Sequence, residues 1–359
     1  MKTKILAAVL FVLIAALISN SAFSGPRRVL LEYSTGTWCG YCPCGDSIIE
    51  KLILPVHPQT IVLAYHGNST DPFQYFNGNT IINQLGINAY PLALFDRAMG
   101  PPMDYDYNWP DTISARYTRV PNSVINLVLT DKNYNAATRV LTATVEATAL
   151  QNLTGQYKIN FVITEDNIVY QQNFYSSCGS PGYHPNFVHY WVVRNMINGS
   201  LGENVNSGAW NQNQTITKTI TTTDSAGWVA ANCNLNIFIY KDAAPLNTAS
   251  IEQATKQSVT SPLGVSNTNE VPADYTLSQN YPNPFNPVTN IKFTIPENGK
   301  VSLKIYNISG KEVMTMVDGF LNAGSYNAEV DASNLSSGVY FYTLLTDKFS
   351  QTKKMVLIK

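Results

Sequence analysis

Ser34-Thr35-Gly36-Thr37-Trp38-Cys39-Gly40-Tyr41-Cys42-Pro43-Cys44-Gly45 is the stretch on which the reading of this 359-residue chain turns, and it holds three of the five cysteines. Cys39 and Cys42 are separated by two residues, follow an apolar run and open a helix-like pattern. Thiol-disulfide exchange needs this arrangement: the first sulfur can be activated, and the second lies close enough to resolve the mixed disulfide. A thiol attacks only as its thiolate, and the partial positive charge and free N–H groups of a helix N-terminus lower the pKa of a cysteine placed there. Cys39 sits at that junction and is the expected nucleophile; Cys42, one turn on and less exposed, is the expected resolving thiol. Gly40 and Tyr41 form the intervening dipeptide that tunes the redox potential. Two other readings compete. One is a static disulfide. The other is a zinc site completed by His57 or His66, which is disfavoured because neither a second cysteine pair nor a compact histidine pair completes the spacing.

Working outward, Val29, Leu30 and Leu31 give residues 27–34 the pattern of a short buried strand ending in a Thr/Gly turn. After Pro43, Ile48, Ile49, Leu52 and Ile53 recur at helical spacing until Pro55 stops them. Residues 60–65 are strand-like. Asp71-Pro72 is a helix-start signal, and residues 80–85, closed by Gly86, read as a further helical turn or two. Tyr90-Pro91 then leads into the apolar run 92–95. This rhythm of strand, helix, strand, helix, strand belongs to a small α/β domain. No clear final strand follows Phe95; the helical-looking 109–119 stands where one is expected.

At the N-terminus, Lys2 and Lys4 precede an uncharged run over residues 5–18, then Ser19-Asn20-Ser21-Ala22-Phe23-Ser24. This reads as a secretory signal over 1–24, with Ala22 and Ser24 at positions −3 and −1 of the cleavage site. An uncleaved anchor is disfavoured because the run falls short of the roughly 20 residues that cross a bilayer. Export to an oxidising compartment is expected, where disulfides persist. A net charge of −1 with 13% charged residues excludes the basic footprint of a nucleic-acid binder.

Composition changes after Pro121. Residues 123–130, 139–148, 157–164, 215–223 and 234–240 are β-rich, with period-two alternation and Asn, Gly and Asp turns, as in an antiparallel β-sandwich. Cys178 and Cys233 both fall here and are expected to form a structural disulfide, subject to geometry. His184 and His189 are too weak a pair to define a metal site, and the aromatic run 187–199 reads as a strand buried against the partner sheet. Residues 259–274, polar with Pro262, Gly264 and Pro272, read as a linker. Beyond it, Ile291, Phe293, Ile295, then Val301, Leu303, Ile305, then Tyr326, Ala328, Val330 alternate as strands of a second sandwich.

Three resemblances follow from these residues. Trp38-Cys39-Gly40-Tyr41-Cys42 after an apolar strand, with Leu85-Gly86-Ile87, Tyr90-Pro91 and the run 92–95, resembles a thioredoxin-like active site. That resemblance implies a cis proline at Pro91 facing the dithiol and a Tyr90 backbone that pairs with bound peptide. It also implies substrate contacts at Trp38 and Tyr41, and a buried acid assisting proton transfer, for which Glu32 is the loose match. Cys44 is an extra thiol just after the motif, placed either to compete as a second resolving group or simply to be buried. The signal, the cysteine stretch and the middle region together resemble the outer-membrane-protein-28-related family over about residues 27–258. Tyr275-Thr276-Leu277-Ser278-Gln279-Asn280-Tyr281-Pro282-Asn283-Pro284-Phe285-Asn286-Pro287, residues 305–310, Ser337-Gly338-Val339-Tyr340 and the terminal 353–359 resemble a type IX secretion C-terminal sorting domain. It implies a small immunoglobulin-like sandwich and a partner in the outer-membrane secretion machinery; Pro282, Pro284 and Pro287 stiffen a lead-in that cannot join a central strand.

The expected fold is multidomain: a signal at 1–24, an α/β thioredoxin-like domain at 25–120, a β-sandwich at 121–258, a linker at 259–274 and the sorting domain at 275–359. The expected function is an exported, cell-surface thiol-disulfide oxidoreductase-like protein acting on protein or peptide thiols and disulfides, without a cofactor, metal or nucleic-acid partner. The alternative is a non-enzymatic surface binding or structural protein that keeps a static disulfide on the same scaffold.

Overall fold

The computed structural model describes residues 27–359, apart from positions 69, 75–77, 106–107, 261–264, 269–271, 273, 298 and 322. The expected signal at 1–24 lies outside the described residues. Strand β1 (Leu30–Thr35) leads through the cysteine loop to helix α1 (Cys42–Ile48), which continues as a π-helical turn over Ile49–Ile53. Then come β2 (Ile61–His66), α2 (Gly78–Gln84), β3 (Leu92–Phe95), the two-residue β4 (Met103–Asp104) and α3 (Trp109–Arg119). β1 runs parallel to β2, with Leu30 opposite Ile61, and antiparallel to β3, which pairs antiparallel with β4. The sequence left the position of β4 empty because two residues are too few to show a period.

Alternation along these strands divides two cores. Leu31 and Tyr33 pack with Val62, Ala64, Phe95, Ile49, Ile53 and Trp109 on the face that carries α1 and α3. Leu30, Ile61, Leu63 and Tyr65 pack on the other face with Ile81, Ile82, Phe238, Tyr240 and Ile251. Successive side chains point to opposite sides of a strand, so a sheet covered on both faces reads as a continuous apolar run.

The middle region contributes β5 (Ile125–Asn135), β6 (Val140–Ala149), β7 (Tyr157–Glu165), β8 (Ile168–Phe174), β9 (Gly182–His189), β10 (Val192–Met196), β11 (Glu203–Asn204), β12 (Thr215–Thr223), β13 (Cys233–Lys241) and β14 (Ile251–Ser258). One sheet has the order β12-β6-β5. Its inner residues Leu141, Ala143, Val145 and Ala147 meet Ile159, Phe161, Ile163, Leu235 and Ile237 of the facing sheet. Its outer side carries cross-strand threonine pairs such as Thr144 with Thr219 and Thr148 with Thr215. The facing sheet does not end at residue 120. Its order is β14-β13-β7-β10-β2-β1-β3-β4, with β11 also on β7. The junction is a short parallel pairing of β10 with β2 at Val192 and Ala64, where the Ala64 amide donates to the Trp191 carbonyl at 2.9 Å.

A buried ionic group reinforces this junction. Asp96 accepts from Arg27, from Arg116 of α3 and from the Leu30 amide, and Arg27 also donates to the Ile251 carbonyl of β14. Strands β8 and β9 pair with each other as a separate two-stranded sheet, whose register runs from Ile168 opposite His189 to Phe174 opposite Gly182.

The C-terminal unit contains β15 (Val265–Thr268), β16 (Thr276–Leu277), β17 (Val288–Ile295), β18 (Gly299–Asn307), β19 (Glu312–Leu321), β20 (Gly324–Asp331), β21 (Gly338–Thr346) and β22 (Ser350–Leu357). They form two sheets, β15-β20-β17-β16 and β19-β18-β21-β22, around Ile291, Phe293, Leu303, Ile305, Tyr342 and Leu344. Within the expected linker, Val265–Thr268 is strand rather than free chain. It satisfies the open side of β20, with Val265 opposite Ala328.

Candidate functional site

The loop between β1 and α1 is built from both ends. Thr37 donates its amide and its hydroxyl to Asp71 Oδ2 at 2.7 and 3.1 Å. The Trp38 indole N–H donates to the Gly67 carbonyl at 3.0 Å, and its ring meets Tyr90 edge to face. Burial alone would raise the Asp71 carboxyl, but hydrogen bonds from His66 and from the Phe73 and Thr37 amides outweigh it and hold the carboxyl below its ordinary value. A charged acceptor thereby fixes the turn that delivers Cys39.

Cys39 and Cys42 are bridged, with Cα atoms 5.4 Å apart. The helix begins at Cys42, so Cys39 stands in the preceding turn, closed by the Cys39 amide donating to the Gly36 carbonyl at 3.0 Å. Cys39 is 4% exposed and Cys42 fully buried. Pro91, after a cis Tyr90-Pro91 bond, faces the helix one turn on, so close that a Cβ built at Gly45 would lie 3.2 Å from its Cγ. Tyr41 stacks on Tyr105 and meets Tyr175 edge to face.

The expected Cys178–Cys233 bridge does not form. Cys178 is bonded to Cys44, 134 residues earlier, and Cys233 is a free, buried thiol. The topology explains this. Cys233 opens β13 inside the sandwich core, whereas Cys178 lies in the β8–β9 turn, which is carried out of the sandwich and onto α1. Burial, with Glu165 and Asp224 nearby, pushes the Cys233 thiol well up, leaving it protonated and unreactive. Cys44 is therefore neither a second resolving thiol nor merely a buried one, but an anchor for the middle region.

Glu32 does not approach the disulfide. It shares the face of β1 with Leu30, away from α1, and is locked by Arg97 at 2.7 and 2.8 Å and by the Tyr65 hydroxyl at 2.8 Å. A second acid, Asp46, lies four residues after Cys42 and hence on the same side of the helix. Its Oδ1 accepts from the Tyr33 hydroxyl at 2.8 Å. Burial, opposed by that hydrogen bond and assisted by the nearby Glu50 charge, pushes its carboxyl up to about 7, although one edge remains open. The spacing from Cys42 to Asp46 was the signal available in the sequence.

The β8–β9 hairpin covers the loop. Asn173 donates its amide to the Thr37 carbonyl at 2.8 Å and its side chain to the Trp38 carbonyl at 3.1 Å. Gln172, 1% exposed, donates its side chain to the Gly36 and Cys39 carbonyls at 3.1 and 2.9 Å. The Tyr175 amide donates to the Gly40 carbonyl at 2.9 Å, and its ring lies so close to Gly40 that a Cβ there would sit 2.4 Å from a ring carbon. Every carbonyl of residues 36–40 thus accepts from the hairpin.

The histidines are occupied elsewhere: His57 bonds Ser114 Oγ and stacks on Tyr117, and His66 pairs with Asp71. His189, buried among Phe73, Phe187 and His66, is driven down to about 4 chiefly by burial. Among the described residues, no group of three or more His, Cys, Asp or Glu converges as a metal site, and no helix is long and apolar enough to cross a membrane.

Two family models match the chain. Outer membrane protein Omp28 covers residues 78–261, and the secretion system C-terminal sorting domain covers 279–359. The first begins after the cysteine loop. Among solved structures, HBP35 of Porphyromonas gingivalis aligns over 94% of this chain and 99% of its own, at 16% identity and a TM-score of 0.54, a likeness of fold. A domain of the outer membrane lipoprotein Omp28 from Porphyromonas gingivalis aligns over 39% of this chain and 91% of its own, at 16% identity and a TM-score of 0.24. No curated protein matches the chain.

Proposed function

Since the chain belongs to the outer membrane protein Omp28 family and carries a secretion sorting domain that directs it to the surface by type IX export, we propose that it is a cell-surface thiol-disulfide exchange protein. The observation that carries this reading is the Cys39–Cys42 disulfide at the start of α1, on a sheet with parallel β1/β2 and antiparallel β3/β4. That order of strands and helices supports a thioredoxin-like scaffold for the α/β unit. The two facing sheets of the C-terminal unit support an immunoglobulin-like sandwich.

In this reading a substrate thiolate attacks Cys39 Sγ and displaces Cys42 as thiolate. In the opposite direction, the Cys39 thiolate attacks a substrate disulfide, and Cys42 then attacks Cys39 Sγ to release the reduced substrate. Asp46 takes over the proton-handling role first assigned to Glu32: a carboxyl titrating near neutrality, one helical turn from Cys42, can accept the resolving thiol's proton and return it. In this reading Trp38, Tyr41, Tyr90 and Pro91 shape the peptide site. The second reading, a binding protein with a static disulfide, is favoured by the near-complete cover over Cys39.

A pre-reduced Cys42→Ser variant, freed of reductant and mixed with a cystine-containing peptide, is expected to accumulate a mixed disulfide at Cys39, read by mass mapping. The absence of any adduct sinks the exchange reading in favour of the static one.

A further inference from the structure

We propose that the β8–β9 hairpin is a removable plug on the Cys39 loop, fastened by the Cys44–Cys178 disulfide, and that reducing this fastening opens the loop to an extended polypeptide strand carrying the substrate sulfur. The proposal rests on the exchange reading above and adds what controls it and what shape of substrate it takes.

The hairpin belongs to the middle region by sequence yet spends its hydrogen bonds on the α/β unit. The amides of Asn173 and Tyr175, alternate residues of one strand end, point at the Thr37 and Gly40 carbonyls. This is the period-two donation of an added β-strand, and recognition of an extended peptide through main-chain bonds uses the same geometry. The loop therefore presents the Thr37 and Gly40 carbonyls to an extended segment whose amides are two residues apart. The Gln172 and Asn173 side chains occupy the remaining acceptors, and the Tyr175 ring fills the space that glycine leaves at position 40.

What keeps the hairpin seated is limited. β8 and β9 pair only with each other among the described residues, and a two-stranded hairpin has little stability of its own. Its outer residues Val169 and Tyr183 are exposed, and its apolar packing on the rest of the chain lies at its base, where Tyr170 and His189 meet Phe73, and at Tyr175 on Tyr41. The covalent link to α1 is Cys44–Cys178, and the two disulfides differ in access: Cys44 and Cys178 are half-buried, whereas Cys39 and Cys42 are covered. Exchange requires the attacking thiolate to reach a sulfur, so an external dithiol meets the fastening first. One of its thiolates attacks the Cys44–Cys178 bond to form a mixed disulfide, and its second thiol resolves that bond. Two electrons and two protons pass to Cys44 and Cys178, and the dithiol leaves as a disulfide. The Cys39–Cys42 bond is unchanged, and the hairpin is free to lift.

The test compares Cys42→Ser with the triple variant Cys42→Ser/Cys44→Ser/Cys178→Ser in the full chain. The single variant is handled so that Cys44–Cys178 stays oxidised, and both receive the same extended cystine-containing peptide. The triple variant is expected to form the Cys39 adduct roughly tenfold faster or more, because local opening no longer opposes a covalent tie. Equal rates overturn the plug and leave the exchange reading standing; no adduct in either protein overturns the exchange reading and the plug with it. Should the triple variant not fold, Gln172→Ala/Tyr175→Ala in the Cys42→Ser background keeps the tie and weakens the seat. It must then also speed adduct formation, and an unchanged rate there overturns the proposal. In the otherwise unaltered protein treated with limiting dithiothreitol, alkylation must find Cys44 and Cys178 free before Cys39; the reverse order counts against the proposal.

Discussion

Asp46 is the residue at which, under the proposed function, stability and chemistry oppose each other. Its carboxyl is pushed up to about 7 in the folded chain, whereas an unfolded aspartate titrates near 4. Between these values the native state binds more protons than the unfolded one, so this group's contribution to stability is present at low pH and is lost as pH rises through about 7. Asp46→Asn removes the charge and can keep a partner for Tyr33. Urea unfolding is expected to show the variant close to wild type at the acid end of this window and about 2 kcal/mol more stable above it, the open edge of the carboxyl having been allowed for. A difference that does not grow with pH removes Asp46 from the role of titrating neighbour. The same variant is expected to slow the resolving step of exchange at neutral pH if the carboxyl handles the Cys42 proton. Cys39, Cys42 and Trp38 were legible because the motif is local and its spacing dictates its geometry. Asp46 carries the same local signal through its helical spacing from Cys42, whereas the position of Glu32 on its strand turns it toward Arg97.

At the scale of elements, β1, α1, β2, α2 and β3 were readable from apolar periodicity, proline stops and the turn at Gly86. The β8–β9 hairpin was not. Its outer face is polar or exposed, so it carries no buried stripe, and what holds it is the seat made by residues 36–41, the Cys44–Cys178 tie and the packing of Tyr170 and His189 on Phe73. The Cys44–Cys178 pairing was hidden for the same reason: long-range proximity is a property of topology, and no local spacing encodes it. A second element depends on single side chains. The segment before β17 is strapped to the C-terminal unit by Asn280, whose amide donates to the Tyr342 hydroxyl oxygen at 2.8 Å and whose side chain donates to the Pro282 carbonyl and Thr289 Oγ1, each at 3.0 Å. Asn280 is 2% exposed, so its loss strands buried acceptors. Asn280→Ala is expected to cost this unit about 2 kcal/mol, measured as a shift of its own transition in denaturant. An unchanged midpoint means that the prolines alone hold the strap.

For the whole molecule, the sequence divides at Pro121 by composition, and the structure crosses that division with a sheet. β2 is an interior strand only because β10 lies beside it, and β10 is reached more than a hundred residues later in the chain. Cut at residue 120, the α/β unit would present Ile61, Val62, Leu63, Ala64, Tyr65 and His66 along a bare sheet edge, with its second face stripped of Phe238, Tyr240 and Ile251. A long apolar edge of this kind is a template for pairing between copies. A 27–120 fragment is therefore expected to aggregate, whereas 27–258 stays dispersed, as light scattering would show. A dispersed, folded 27–120 fragment would refute this. The dithiol unit is thus no cassette to be lifted out and fused elsewhere. A recombination event at this seam would yield two sticky halves, so the Cys39 loop and the sandwich whose hairpin covers it must be inherited together.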